Sequence, residues 1–133
     1  MGKSLIQVAN QSTQVIAENS IIDLGSVIRR YGCGCRLSGN AILIKGAGYY
    51  KIDGAVTIEP TAEGTVTVAA YADGVQISGM IASGNAAAAS PVTLSFPPGT
   101  ERIVDCDGSE NITFMLLAGA GNITNVSVRI EKS

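Results

Sequence analysis

Alternating apolar residues, broken at short intervals by turn-forming residues, are the feature that most restricts the fold of this chain. The clearest example is "GTVTVAAYADGVQISG" at 64–79, where Val66 and Val68 alternate with threonines before the Asp73–Gly74 pair. An Asp-Gly pair between two alternating runs predicts a β-hairpin, because glycine accepts the positive φ of the turn. Glycine, proline, asparagine and aspartate recur about every eight to twelve residues elsewhere, which predicts an all-β sandwich or barrel.

The composition limits where such a chain can bury its apolar residues. Its 133 residues, the size of one domain, are 46% hydrophobic and 15% charged, whereas an average soluble domain carries about 25% charged residues. No stretch approaches the roughly 18 consecutive apolar residues of a membrane-spanning helix, and the N-terminus lacks the apolar segment of a secretory signal. We therefore expect other protein chains, rather than a membrane, to cover the apolar excess.

Two predicted strands have apolar or mixed residues on both faces. In "ITFMLLA" (112–118) the residues alternate, and the face opposite the core consists of Thr113, Met115 and Leu117. In "YYKIDGAVTI" the corresponding second face includes Tyr49, Lys51 and Ala55. Because a strand in a two-sheet sandwich has one core face, and large apolar surfaces are not normally left in water, we predict that these six residues form one subunit contact.

Residues of the types used for catalysis, phosphate binding or metal binding are scarce. The chain has no histidine, which excludes His-dependent triads and histidine metal ligands. Its glycine clusters lack the strand-to-helix context of a phosphate-binding loop. Asp105 and Asp107 superficially resemble a calcium loop but lack EF-hand spacing, so turn formation is the preferred interpretation. We expect no enzyme activity, no cofactor and no metal site, and the acidic pI near 5.0 argues against a nucleic-acid partner.

The three cysteines, Cys33, Cys35 and Cys106, cannot all pair within one chain. The "CGC" spacing matches neither a redox CxxC motif nor a tetrahedral zinc site. Small, partly buried thiols are the preferred interpretation. A cross-link to Cys106 stays open at this point, because it depends on distances that the sequence does not give.

Three blocks of the sequence resemble the tumour-necrosis-factor and complement globular-head superfamily of jelly rolls. They are "SGNAILIKGAGYYKIDGAVTI", "VTVAAYADGVQISG" and the closing "GSENITFMLLAGAGNITNVSVRIEKS", although the family's usual acidic "AGD" turn is absent. The resemblance runs from about Ile21 to the C-terminus. It implies an all-β, two-sheet jelly-roll sandwich of about ten strands over residues 21–133, after an N-terminal arm and first strand over residues 1–20. It also implies a homotrimer that buries one sheet of each subunit.

The N-terminal sequence "MGKSLIQVANQSTQ…GSVIRRYGCGCRLSGNAI" is similar to that of small proteins encoded in phage and prophage structural-gene regions. Those proteins are regarded as head-fibre or capsid-decoration proteins. This resemblance implies a structural virion protein that is assembled in the bacterial host cytoplasm. Its partners would be further copies of itself and the major capsid protein or another virion component. We expect attachment through the N-terminal arm, at Leu5, Ile6 and Val8.

The alternative hypothesis is an adhesin-like module in the same trimeric fold, which binds a host-surface glycan or protein through exposed loops. The candidate loops are 72–75, 82–90 and 97–101. Against a glycan partner, the chain has no tryptophan and only 5% aromatic residues, whereas sugars commonly stack on aromatic faces.

Overall fold

The computed structural model describes residues 4–32, 34–88, 90–96 and 99–132. Over these ranges the chain forms strands and no helix. The thirteen strands are β1 (Ser4–Asn10), β2 (Gln14–Ile16), β3 (Ser20–Ile21), β4 (Ser26–Tyr31), β5 (Cys35–Ser38), β6 (Ala41–Lys45), β7 (Gly48–Pro60), β8 (Gly64–Ala72), β9 (Val75–Ala86), β10 (Val92–Ser95), β11 (Gly99–Ile103), β12 (Ser109–Ala118) and β13 (Gly121–Lys132).

The strands form two antiparallel sheets. Sheet A has the order β10-β7-β13-β1-β4, with β11 following β10 along β7 and β2 pairing with β13. Sheet B has the order β5-β6-β12-β8-β9, with β3 pairing with β12. The sheets approach each other along both sides, where β4 meets β5 and where β9 meets β10 and β11. The expected two-sheet jelly-roll sandwich is confirmed, with short strands such as β2 and β3 beyond the expected ten.

The core lies between the sheets and follows the period-two alternation of the sequence. Ile52, Val56 and Ile58 of β7 are fully buried, because every second residue of the strand points toward sheet B. Phe96 and Phe114 meet in this layer, with ring centroids 5.3 Å apart and planes inclined by 52°. Each such side chain contributes about 1.5–3 kcal/mol to the folding free energy by leaving water. A shift of one residue would expose these side chains, so their burial fixes the register of the strands.

The predicted hairpin between β8 and β9 is confirmed. Asp73 and Gly74 have φ angles of 49° and 84°, and two consecutive positive φ values are those of a type I′ turn. The Asp73 carboxylate accepts a 2.8 Å hydrogen bond from the Asn111 backbone N–H. The Asp73 N–H donates to the Asn111 carbonyl at 2.9 Å, so the turn is fastened to the start of β12.

The prediction of an N-terminal arm is wrong for the described residues. β1 lies inside sheet A, between β13 and β4. Ile6 and Val8 are fully buried, and Leu5 is half-buried on the outward side. The free energy gained by burying these two β-branched side chains makes a paired strand more stable than a segment extended in water. The sandwich therefore includes β1, and these three residues do not form an exposed anchor.

Candidate interaction surfaces

The six residues predicted to form one subunit contact lie on two different surfaces. Tyr49, Lys51 and Ala55 point outward from sheet A, because the intervening residues of β7 point into the core. Thr113 and Met115 point outward from sheet B, and Leu117 follows at a β-bulge in β12. The outward sides of two stacked sheets point in opposite directions. The expectation of one continuous patch is therefore wrong, although each half remains a candidate contact.

The outward side of sheet B forms an uncharged face, which we define by β3, β12, β8 and β9. Glu110 is the one charged residue in these four strands, and it lies on the core side. An apolar row crosses the face from Ile21 through Met115 and Ala69 to Ile81. Ile21 and Ile81 are 48% and 42% exposed. A charge-depleted, aliphatic surface is typical of the centre of a protein–protein interface.

The outward side of sheet A is charged. Arg129 and Glu131 form a 3.3 Å ion pair on it, with both side chains about half exposed. The Arg102 guanidinium lies 5.4 Å from the centre of the Tyr49 ring, a geometry that allows a cation–π contact. The outward side of sheet A therefore combines residue types that are enriched at protein interfaces, tyrosine and arginine, with types that are depleted there, lysine and aspartate.

A group of carboxylates lines an acidic cleft of about 460 Å³, which we define by Asp73, Glu101 and Glu110. The Oε1 atom of Glu110 is buried and has no hydrogen-bond partner among the described residues. Burial raises the pKa of Glu110, and the nearby carboxylates of Glu101 and Asp73 raise it further. The cleft therefore holds negative charge that the surrounding residues do not neutralise.

A basic cluster lies around β4, β5 and β6, and we define it by Arg30, Arg36 and Lys45, which line a cavity of about 190 Å³. The Arg30 Nε–H donates a 3.0 Å hydrogen bond to the Cys35 carbonyl, which holds the guanidinium beside β5. Within residues 4–32, 34–88, 90–96 and 99–132, the one ion pair joins Arg129 and Glu131. These three cations therefore have no carboxylate partner there.

Neither charged group was predicted from the sequence. Asp73, Glu101 and Glu110 come from a hairpin turn, from β11 and from β12, and chain spacing alone does not predict that they meet. Arg30, Arg36 and Lys45 likewise belong to three strands. The alternation of β12 is the one usable signal, because it places Glu110 on the same side as Ile112 and Phe114.

The described cysteines are free thiols. Cys35 is buried, and this burial raises the pKa of its thiol to about 11, against the opposing charges of Lys132 and Arg30. Cys106 is free and exposed, so these two residues are not cross-linked. Cys33 lies outside the described residues. A thiol with so high a pKa is mostly protonated at neutral pH and is a poor nucleophile.

Two further sequence expectations concern membranes and metals. No helix of the described segments has the length and apolarity needed to cross a bilayer. Groups of three or more potential metal ligands are not found in the part of the chain that the structure describes. Asp105 and Asp107 are exposed, and the Gly108 N–H donates to the Asp105 carbonyl, forming a turn.

Two of the three candidate loops of the adhesin hypothesis meet, because Asp73 and Glu101 line the acidic cleft together, but the third does not join them. Residues 72–75 form the hairpin turn at one end of β9, whereas residues 82–86 belong to the far end of the same strand. The expectation of a loop over 82–90 is wrong for residues 82–86, because these residues pair with β8 and the Thr65 hydroxyl donates a 2.8 Å hydrogen bond to the Asn85 side chain. Residues 99–101 open β11 halfway along β7, and Pro97 and Pro98 lie outside the described residues.

Comparison with known proteins gives likeness of fold and not of sequence. No protein-family model and no curated protein sequence matches the chain. Murine APRIL, in its crystal structure at pH 5.0, superposes with a TM-score of 0.75 and 11% identity, covering 99% of this chain and all of that one. The globular domain of the zebrafish complement 1qA protein gives a TM-score of 0.70 and 9% identity, covering 94% of each chain.

A third solved structure has the same fold. The PRD1 vertex protein P5 superposes with a TM-score of 0.60 and 15% identity, covering 97% of this chain and 96% of that one. Identities this low show a shared fold and nothing finer. The expected resemblance to the tumour-necrosis-factor and complement globular heads is therefore confirmed at the level of the jelly roll.

Proposed function

We propose that this chain is a structural virion protein, a homotrimeric jelly roll that decorates a phage capsid or forms its head fibre. The observation that carries the proposal is the uncharged face, on a fold that the chain shares over nearly its whole length with the PRD1 vertex protein P5. An outward sheet surface crossed by Ile21, Met115 and Ile81 is most stable when another chain covers it.

A closed ring of three limits how the two outward faces are used. Three subunits close by a head-to-tail contact, in which each contributes two different surfaces that are inclined to each other. In the proposed ring, one of the outward sides of sheets A and B, which point in opposite directions, turns toward the three-fold axis and the other turns away. The sheet that faces outward is then available to another virion component.

Attachment to the virion uses a folded surface in this proposal, rather than β1. Withdrawing β1 from sheet A would expose Ile6 and Val8 and lose about 1.5–3 kcal/mol of folding free energy for each side chain. It would also break the ladders to β4 and β13. The capsid contact is therefore expected on the sheet that faces away from the axis.

Immunogold electron microscopy of phage particles tests the location. An antibody against the chain, applied to particles from a lysate of the bacterium that encodes it, is expected to label capsids. Particles of a deletion strain provide the matched control and should remain unlabelled. Gold on the host envelope and none on particles would overturn the virion proposal and favour the host-binding alternative.

A further inference from the structure

We propose that the acidic cleft of one copy of this chain binds the basic cluster of the next, forming the head-to-tail contact that closes the ring. The inference rests on the proposed homotrimer and names the surfaces that build it. The partner is a second copy of this chain. The contact would place Asp73, Glu101 and Glu110 of one subunit against Arg30, Arg36 and Lys45 of its neighbour.

The two charged groups lie toward different sides of the sandwich. The basic cluster is built on β4, β5 and β6, and β4 and β5 are the strands at one side of the two sheets. The acidic cleft is lined by the β8–β9 turn, β9, β11 and the start of β12, and β9 and β11 lie at the other side. Lys45 is the member of the basic cluster nearest the cleft, because it pairs with Ser109, the residue before Glu110, but no ion pair joins Lys45 and Glu110 among the described residues. Arg36 and Glu101 lie at opposite edges of the sandwich and can meet only between copies, which is the arrangement that forms rings.

Among the described residues, neither group has a counter-charge within ion-pair distance. Glu110 has a buried oxygen without a hydrogen-bond donor, and Glu101 and Asp73 add repulsion from the same cavity. A buried, unpartnered carboxylate oxygen costs free energy until a donor reaches it. Arginine and lysine donate strong charge-assisted hydrogen bonds to carboxylates, so a neighbour's cations would offset the repulsion between the carboxylates that line the cleft.

The basic cluster has the opposite imbalance of charge, an excess of positive charge. Three cations share one small cavity, and the carboxylates of the described residues lie beyond ion-pair distance from them. The Arg30 side chain is positioned by its bond to the Cys35 carbonyl, so less side-chain entropy is lost when it binds. Complementary charges on the two surfaces also set the orientation of docking and raise the association rate.

Charge reversal on each surface tests the inference. Glu101→Arg places a cation in the acidic cleft, and Arg36→Glu places a carboxylate in the basic cluster. Each single variant sets like charges against each other at every contact of the ring, and we expect its dissociation constant to rise by at least about ten-fold. The variant that carries both substitutions restores opposite charges and is expected to recover most of the wild-type affinity.

Sedimentation-equilibrium measurements on the full chain give these constants, and circular dichroism confirms the fold of each variant. Glu63→Arg is the matched control, because Glu63 is exposed at the opposite end of the sandwich and undergoes the same charge change. It should assemble like the wild type. If Glu101→Arg fails to fold, Arg36→Glu at its exposed position applies the same test.

The outcomes separate this inference from the proposed homotrimer. A wild-type chain that sediments as a monomer would contradict both. A wild-type trimer whose affinity is unchanged in Arg36→Glu and Glu101→Arg would overturn the charge contact and leave the trimer standing. Loss of affinity in both single variants without recovery in the double variant would also overturn it, because recovery is what direct pairing requires.

Discussion

The hydroxyl of Tyr50 lies 2.7 Å from the carbonyl oxygen of Lys45, and the carbonyl of Gly46 lies 2.9 Å from the same hydroxyl. Tyr50 is fully buried, so this contact ties the β6–β7 connection to the core at the end that carries the basic cluster. Tyr50→Phe leaves these carbonyl groups without their donor. We expect a loss of about 1–3 kcal/mol in the free energy of unfolding.

Urea denaturation measures that loss, with Tyr31→Phe as the matched control. Tyr31 is 61% exposed, and removing its hydroxyl should change stability by less than about 0.5 kcal/mol. Equal stability of Tyr50→Phe and the wild type would contradict the role given to the hydroxyl.

The cysteines should react at very different rates. In a Cys33→Ser background, iodoacetamide at neutral pH is expected to label the exposed Cys106 quickly and to spare Cys35. Cys35 is buried, and its pKa of about 11 leaves almost no thiolate. Mass spectrometry before and after denaturation measures the labelling, and fast modification of Cys35 in the folded protein would show that its pocket is open.

The two outward faces can be told apart with a matched pair of substitutions. Tyr49→Asp places a carboxylate on sheet A, and Met115→Asp places one on the uncharged face of sheet B. A charge buried in a dry contact must lose its hydration, so the variant at the three-fold axis should dissociate. We expect one of the two variants to be monomeric and the other to remain a trimer, as measured by light scattering. Dissociation of both, or of neither, would contradict a ring that turns a single face to its axis.

Acidification should weaken the assembly while it stabilises the separate chain. Burial, Glu101 and Asp73 raise the pKa of Glu110 above its ordinary value of 4.5 in the single subunit. The contribution of Glu110 to the free energy of unfolding is therefore fully present below pH 4.5 and is lost as the pH rises through the raised pKa. In the ring, a neighbour's cations would favour the charged form and lower this pKa, so assembly releases a proton and weakens as the pH falls.

Dissociation constants measured from pH 7 down toward the ordinary carboxyl pKa of 4.5 test this coupling, because the pKa of Glu110 in the single subunit lies above that value. Glu110→Gln removes the titrating group and is expected to flatten the dependence across that range. A pH dependence of the same size in Glu110→Gln and the wild type would assign it to other groups.

The strand pattern and the fold class were predictable from the sequence because they depend on local rules. The turn at Asp73 and Gly74 requires positive φ at both residues, and the sequence places glycine and aspartate there. Alternation correctly assigned the buried side of β7 and of β12. Each of these features is decided within about ten neighbouring residues.

The position of each strand in the sandwich was not predictable in the same way. Nothing local distinguishes an extended arm from a central strand, so β1 was misplaced although Ile6 and Val8 are typical strand residues. The assignment of β7 and β12 to different sheets depends on pairings between distant parts of the chain. The acidic cleft and the basic cluster arise from the same long-range pairings.

The mass of the assembled protein in solution tests the central claim most directly. Sedimentation equilibrium at neutral pH and low salt, where charged contacts are least screened, is expected to return three times the mass of one chain. A well-folded monomer at micromolar concentration would contradict the account, because both the uncharged face and the acidic cleft would then be stable in water without a partner.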